Sequence, residues 1–228
     1  MSHPTQSKIA RRRIAAQEHP SPEYRERQQR VLQAAARRFM EERFDRADLS
    51  DIAADAGIER ANIYYYVESK EDLYLQVLLQ VKSDVVAAAE RIARSSEPPV
   101  QRLRMLMVEL MEELDRHYPF LYLRYEETTQ SVAARNPDDP HLRQVLRLTE
   151  RHFSAFRTVV RDGIHDGSFR TVLPAATVAQ TAIGMVLVTG KWWEPTKSSL
   201  SGAELGAALA DLLLQGLCDG KTNPPPRG

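Results

Sequence analysis

Apolar residues recur along the chain at three- and four-residue spacing, and no stretch alternates in the manner of a strand. Residues 1–20 carry no such period and read as a flexible arm. Ser21-Pro22-Glu23 then has the chemistry of a helix start: a hydroxyl cap, a proline in the first turn and an acid at the positive end of the dipole. Val31, Leu32, Ala35, Ala36 and Phe39 mark the buried face of a helix ending near Arg43. Asp48 can cap a short helix through Ile52 and Ala53, and Gly57 can end it, since glycine tolerates the left-handed dihedrals of a helix C-terminus. A second short helix follows over Arg60 to Tyr66. Ser69-Lys70-Glu71-Asp72 opens a long one, with an acid three residues after its cap, and that helix ends before Pro98-Pro99.

Further helices are expected at about 100–116, 118–134, 139–166, 174–193 and 202–218, with breaks at proline and glycine. The fold class is all-α, with roughly nine helices. The domains read as an arm at 1–20, a DNA-binding helix-turn-helix unit at 21–72, a ligand-binding and dimerisation bundle at 73–220, and a disordered tail at 221–228. Segment 139–166 is amphipathic. Its His141 and His152 lie eleven residues apart, about 20° from eclipsed at 3.6 residues per turn, and border the apolar arc. Segment 174–193 is apolar on almost every side, from Val178 to Trp193, and must therefore be covered on every side.

Two short helices joined at a glycine have helix-turn-helix proportions, in which the second helix enters the major groove and the first braces it. Leu49, Ile52, Ala53, Ala56, Ile58 and Ile63 would form the small core, leaving Arg60, Ala61, Asn62, Tyr64 and Tyr65 exposed. Phenol hydroxyls suit phosphates, and asparagine or arginine can read base edges.

Charge complicates this reading. The chain carries 31 basic and 31 acidic residues, which excludes a grossly basic nucleic-acid binder. Position restores the case in part: residues 1–38 hold nine basic and three acidic groups, whereas 39–72 hold four and ten. The single Cys218 excludes an intramolecular disulfide framework and a cysteine-based zinc cluster. No signal peptide and no apolar run of bilayer length is visible, so no membrane partner and a cytoplasmic location are expected.

Val31-Leu32-x-Ala34-Ala35-x-x-x-Phe39, Ile52-Ala53-x-x-Ala56-Gly57-Ile58 and Ile63-Tyr64-Tyr65-Tyr66-Val67-x-Ser69-Lys70-Glu71-x-Leu73 together resemble the TetR family of transcriptional repressors. The resemblance implies a homodimer that binds palindromic operator double-stranded DNA through its N-terminal helices and is released by a small hydrophobic effector in its C-terminal bundle. It also implies DNA contacts from Asn62, Tyr64, Tyr65 and Lys70, with Arg60 and Ala61 near base edges. Arg11, Arg12 and Arg13 read equally as a minor-groove arm or a solvating tail. Five positions depart from the family pattern: Arg43 in place of the usual glycine, Glu59 in place of a hydroxyl cap, Ala61 in place of glycine, and Tyr66-Val67 in place of His-Phe.

Met107, Met111, Phe120, Tyr122, Tyr125, His152, Phe156 and Trp192 offer an adaptable apolar lining for the effector. The last two long helices, through Ile183, Val186, Leu187, Leu205, Leu209, Leu212 and Leu213, are the expected dimer interface, as in the family. Lys191-Trp192-Trp193-Glu194-Pro195 and Ser201-x-x-Glu204 are similar to a subgroup that controls lipid or steroid breakdown and responds to acyl-CoA thioesters. A helical enzyme, or a ligand-binding protein without DNA-binding activity, is the rival class. Against an enzyme stand the missing nucleotide loop, metal-ligand spacing and nucleophile motif. No catalytic residue, metal or cofactor is expected.

Overall fold

The computed structural model describes residues 20–42, 44–117, 125–193 and 198–218, and every regular element among them is helical. In chain order these are α1 (Pro22–Glu42), α2 (Leu49–Asp55), a 3-10 helix (Arg60–Tyr65), α3 (Lys70–Arg94), α4 (Pro99–His117), α5 (Tyr125–Arg135), α6 (Pro140–His165), α7 (Ala175–Trp192) and α8 (Gly202–Cys218). The expected basic arm with Arg11, Arg12 and Arg13, and the expected tail, lie outside the described residues. So do 118–124, which hold Phe120 and Tyr122. The helix expected from 118 is described from Tyr125.

The chain forms two compact units, and the division differs from a single cut after residue 72. One unit holds the residues up to Gln80 together with 123–145, and the other holds 81–122 and 146 onward. Residues 125–145 join the first because they fold against the start of α3: Arg135 reaches Glu71 at 3.7 Å and His141 reaches Asp72 at 2.7 Å.

Capping chemistry written in the sequence is realised in the first unit. Ser21 Oγ accepts the Tyr24 N–H at 3.1 Å, and Asp48 accepts the Ser50 N–H at 2.6 Å. Gly57 ends α2 at φ 69°, in the left-handed region. Ser69 Oγ accepts the Asp72 N–H at 3.1 Å, but the Asp72 carboxylate returns to the Glu68 N–H at 2.7 Å, one residue ahead of a regular capping box. Val31, Leu32, Ala35, Phe39, Ile52, Ala53 and Ile63 are buried, and the rings of Phe39, Phe44 and Tyr74 meet at centroid separations of 5.4–6.0 Å. Arg38 of α1 grips the Asp55 carboxylate of α2 with two N–H groups, at 2.6 and 3.0 Å.

In the second unit α8 lies against α4 and α7. A side chain at Gly206 would meet the backbone of Val108 at 2.9 Å, and one at Gly202 would meet the side chain of Asp115 at 2.8 Å. Arg104 of α4 pairs with Asp211 of α8. Ser201 and Glu204 form a reciprocal capping box: the Ser201 N–H donates to Glu204 at 2.8 Å, and the Glu204 N–H donates to Ser201 Oγ at 3.2 Å. The Ser-x-x-Glu pattern thus has a local structural role, whatever else it marks. Leu103, Leu106, Met107, Leu110, Met111, Phe156, Val159, Val160, Val178 and Val186 fill the core of this unit. Among the described residues no helix is long and apolar enough to cross a membrane.

Candidate nucleic-acid interface

The segment expected to read DNA is a 3-10 helix rather than an α-helix. Glu59 stands at its N-cap and makes no side-chain capping bond, and the first backbone bond runs from the Asn62 N–H to the Glu59 carbonyl at 2.9 Å. At three residues per turn the side chains fall into columns. Ile63 and Tyr66 share the buried column. Ala61 and Tyr64 share a second, with Ala61 exposed and Tyr64 38% exposed. Asn62 and Tyr65 share the third, and here Tyr65 is half-buried. Arg60 at the start of the helix, Ala61, Asn62 and Tyr64 are thus exposed and present a guanidinium, an amide and a phenol, the groups that donate to base edges and phosphates.

Tyr65 is drawn inward. Its carbonyl accepts from the Tyr24 hydroxyl at 3.4 Å, and the Tyr24 ring lies 5.0 Å from that of Tyr66. Lys70 also departs from expectation. Its ammonium donates to the Ala47 and Asp45 carbonyls at 3.0 and 3.4 Å and sits 4.7 Å over the Phe44 ring. Two of its three N–H directions are thus spent on bracing the α1–α2 connection.

Of the residues expected to line an effector pocket, Met107, Met111 and Phe156 are fully buried core residues. Trp192, by contrast, is 84% exposed, because it projects from the last turn of α7 on the side that the described residues leave uncovered. Phe120 and Tyr122, and the side chain of Tyr125, lie outside the described residues. His152 is half-buried, with its ring 5.3 Å from that of Phe156. Burial, reinforced by the charge of Lys82, pushes the His152 imidazole down to about 4, so it is neutral at pH 7. Burial also lowers the Lys82 ammonium to about 8.

Sequence reasoning missed Glu113 on α4. Its carboxylate is buried, and desolvation pushes it up to about 7 although Arg116 Nη1 and His117 Nε2 each stand 3.2 Å away. Desolvation prevails because Arg116 is more than half exposed and its charge is screened by water. A buried acid within the apolar run of α4 has no periodic signature beyond its place on the inner face. Among the described residues no group of three or more His, Cys, Asp or Glu is placed to hold a metal.

The residues expected to pair two copies divide. Val186 is fully buried in this chain's own core and has no surface to offer a partner, because α7 turns that side toward α4. Ile183, Leu187, Leu205, Leu209 and Leu213 are partly buried, and Leu212 is 64% exposed. Val188 at 57% exposed adds to the uncovered side.

Residues 31–77 match the family model for bacterial regulatory proteins of the tetR family, and residues 96–217 match that for the Tetracyclin repressor-like C-terminal domain. The HTH-type transcriptional repressor KstR2 of Mycolicibacterium smegmatis is 24% identical over 191 residues, spanning 84% of this chain and 90% of the relative. The solved structure of the ketosteroid transcriptional regulator KstR2 of Mycobacterium tuberculosis shares the fold with a TM-score of 0.69 at 23% identity, covering 84% of this chain and 95% of that one. FadR from Bacillus subtilis, solved in complex with stearoyl-CoA, shares it with a TM-score of 0.66 at 17% identity, covering 82% and 98%. With both its helix-turn-helix and its C-terminal domain matched, the chain belongs to the TetR family of DNA-binding transcriptional regulators.

Proposed function

We propose that this regulator is a repressor that binds a palindromic operator as a homodimer and is released by a small hydrophobic effector, an acyl-CoA thioester. The exposed edge formed by Arg60, Ala61, Asn62 and Tyr64 carries the DNA half of this reading. Arg60 and Asn62 supply base-edge donors and Tyr64 and Tyr65 phosphate donors, while the Lys70 ammonium is engaged by the Ala47 and Asp45 carbonyls.

The dimer half rests on the uncovered side of α7 and α8, where Val188, Trp192 and Leu212 are exposed. An apolar patch of this kind in the last two helices suits a second copy of the same surface. Ile183, Leu187, Leu205, Leu209 and Leu213 would flank it. The effector reading draws on the stearoyl-CoA held by the Bacillus subtilis relative and on the second unit's apolar interior, with Lys82 and His152 as polar groups at its edge. Effector binding would act through α3, one helix whose start belongs to the DNA-binding unit and whose end belongs to the other. By linkage, effector and operator then weaken each other's binding by the same factor.

The test is release of a bound duplex by acyl-CoA thioesters of graded chain length, followed by fluorescence anisotropy. Release that depends on acyl length, with coenzyme A alone inactive, supports the reading. Duplex binding indifferent to every thioester, together with native mass spectra showing no retained acyl-CoA, overturns it.

A further inference from the structure

Three donors converge on the buried carboxylate of Asp72. The Glu68 N–H and the Gln76 side-chain amide reach Oδ2 at 2.7 and 3.2 Å, and His141 Nδ1 reaches Oδ1 at 2.7 Å. The same Gln76 amide donates its other hydrogen to the Tyr66 carbonyl at 3.1 Å, and Gln76 Oε1 accepts from Gln28 of α1 at 3.2 Å. Tyr66 is the residue that closes the 3-10 helix, so an unbroken chain of hydrogen bonds runs from the first turn of α6 to the exit of the DNA-reading segment.

We propose that His141 is a positioning residue for operator recognition: through Asp72 and Gln76 it fixes the backbone on which the Arg60–Tyr64 edge is mounted. The argument is one of satisfaction. A buried carboxylate holds its orientation only while its oxygens are engaged, and His141 is the partner of Oδ1. Without that bond the carboxylate is free to turn toward water, releasing the Glu68 N–H and Gln76 together. Gln76 then loses the contact that aims its second hydrogen at Tyr66. Because α6 continues from His141 into the second unit, the chain of bonds also gives that helix a handle on the reading edge.

The charged groups around the imidazole reinforce the bond. Burial opposes the imidazolium, but the hydrogen bond and attraction of Asp72, with Asp139 and Glu68, outweigh it and hold His141 above the usual histidine range. Nearby, Arg135 of α5 pairs with Glu71 of α3 at 3.7 Å. A histidine raised in the fold adds stability that is complete below its unfolded pKa and is lost as pH rises through the folded value. The joint is therefore tightest in mild acid and slackens on the alkaline side of neutrality.

The test uses the full chain and the duplex that the wild-type protein selects from a random-sequence library. Affinity is read by anisotropy between roughly pH 6 and 8.5, the range in which a raised histidine titrates. Hydrogen exchange at the Glu68 amide gives a second reading that needs no DNA. His141→Ala is expected to weaken binding about five-fold or more and to speed exchange at Glu68. His141→Asn, which keeps a donor near the position of Nδ1 but cannot carry charge, is expected to restore binding while flattening the pH dependence. Unchanged affinity and exchange in a folded His141→Ala protein overturn the inference. So does a His141→Asn protein that keeps the wild-type pH profile, and this variant decides the matter if His141→Ala fails to fold.

Discussion

Gly206→Ala adds one methyl group where α8 crosses α4, and the structure shows why the methyl has no room. The new carbon would lie 2.9 Å from Val108 Cα, 2.9 Å from Met111 Cβ and 3.1 Å from the Met107 carbonyl oxygen. Backbone atoms of a helix cannot step aside as a side chain can, so α8 itself must retreat. That retreat loosens the neighbouring approach of Gly202 to Asp115, whose carboxylate accepts the Gly202 N–H at 3.3 Å. Overpacking of this kind costs about 1–3 kcal/mol, offset by the roughly 1 kcal/mol that alanine gains over glycine in a helix. A net loss of up to about 2 kcal/mol corresponds to a fall of up to about 8 °C in Tm for a chain of this size. Thermal unfolding followed by circular dichroism reads it directly. A Gly206→Ala protein with a higher Tm would show that α8 does not lie this close to α4, and the packing described for the second unit would be wrong.

The buried acid on α4 gives a pH prediction. Glu113 is raised to about 7, so between about pH 4.5 and 7 the folded chain holds a proton that the unfolded chain has released, and stability falls as pH rises. Glu113→Gln should match the wild type near pH 4.5 and exceed it near pH 8 by up to about 3 kcal/mol; parallel denaturation curves at both values contradict this. Leu212→Glu places a charge on the uncovered apolar face and should convert a sedimenting dimer to folded monomers, with Tm lowered by the lost association. A wild-type protein that sediments as a monomer at micromolar concentration defeats the dimer. At Gly184, where an added methyl meets nothing within 4 Å in the single chain, the proposed dimer, with a partner helix packed at this glycine, predicts that alanine raises the dimer dissociation constant. A gain in Tm with unaltered dimerisation removes the partner from this site.

The local parts of the fold were legible because their causes are local. Asp48, Gly57 and Ser69 announce helix ends by chemistry that acts over four residues, and Ile52, Ala53 and Ile63 announce a core by their spacing. Even the departure at Glu59 was visible, whereas the 3-10 geometry of the segment it opens was not. What spacing could not show is where long-range partners fall. Nothing in the first turn of α3 reveals that Asp72 meets His141, 69 residues away, or that Lys70 turns back to Ala47 and Asp45 instead of pointing outward. Periodicity placed His141 and His152 on one arc of a helix. In the fold one joins a polar relay and the other meets Phe156 edge to face in a different unit. The uniformly apolar α7 gave no hint that Val186 faces inward and Trp192 outward, because a helix apolar all round does not encode which side its own chain will cover.

The charge distribution bears on the most direct test. With as many acids as bases, and a surplus of acids around the reading segment, the protein should hold random DNA weakly and depend on a few specific donors. The deciding measurement is affinity for the selected duplex and for a scrambled one across a salt series, for the wild type and for Arg60→Ala, Asn62→Ala and Tyr64→Phe. The account predicts that Arg60→Ala and Asn62→Ala each cost roughly 1–3 kcal/mol on the selected duplex and narrow its margin over the scrambled one. Tyr64→Phe should weaken both duplexes alike. Equal binding of the two duplexes by the wild type, or no loss in any of the three variants, would contradict the assignment of this edge to operator recognition.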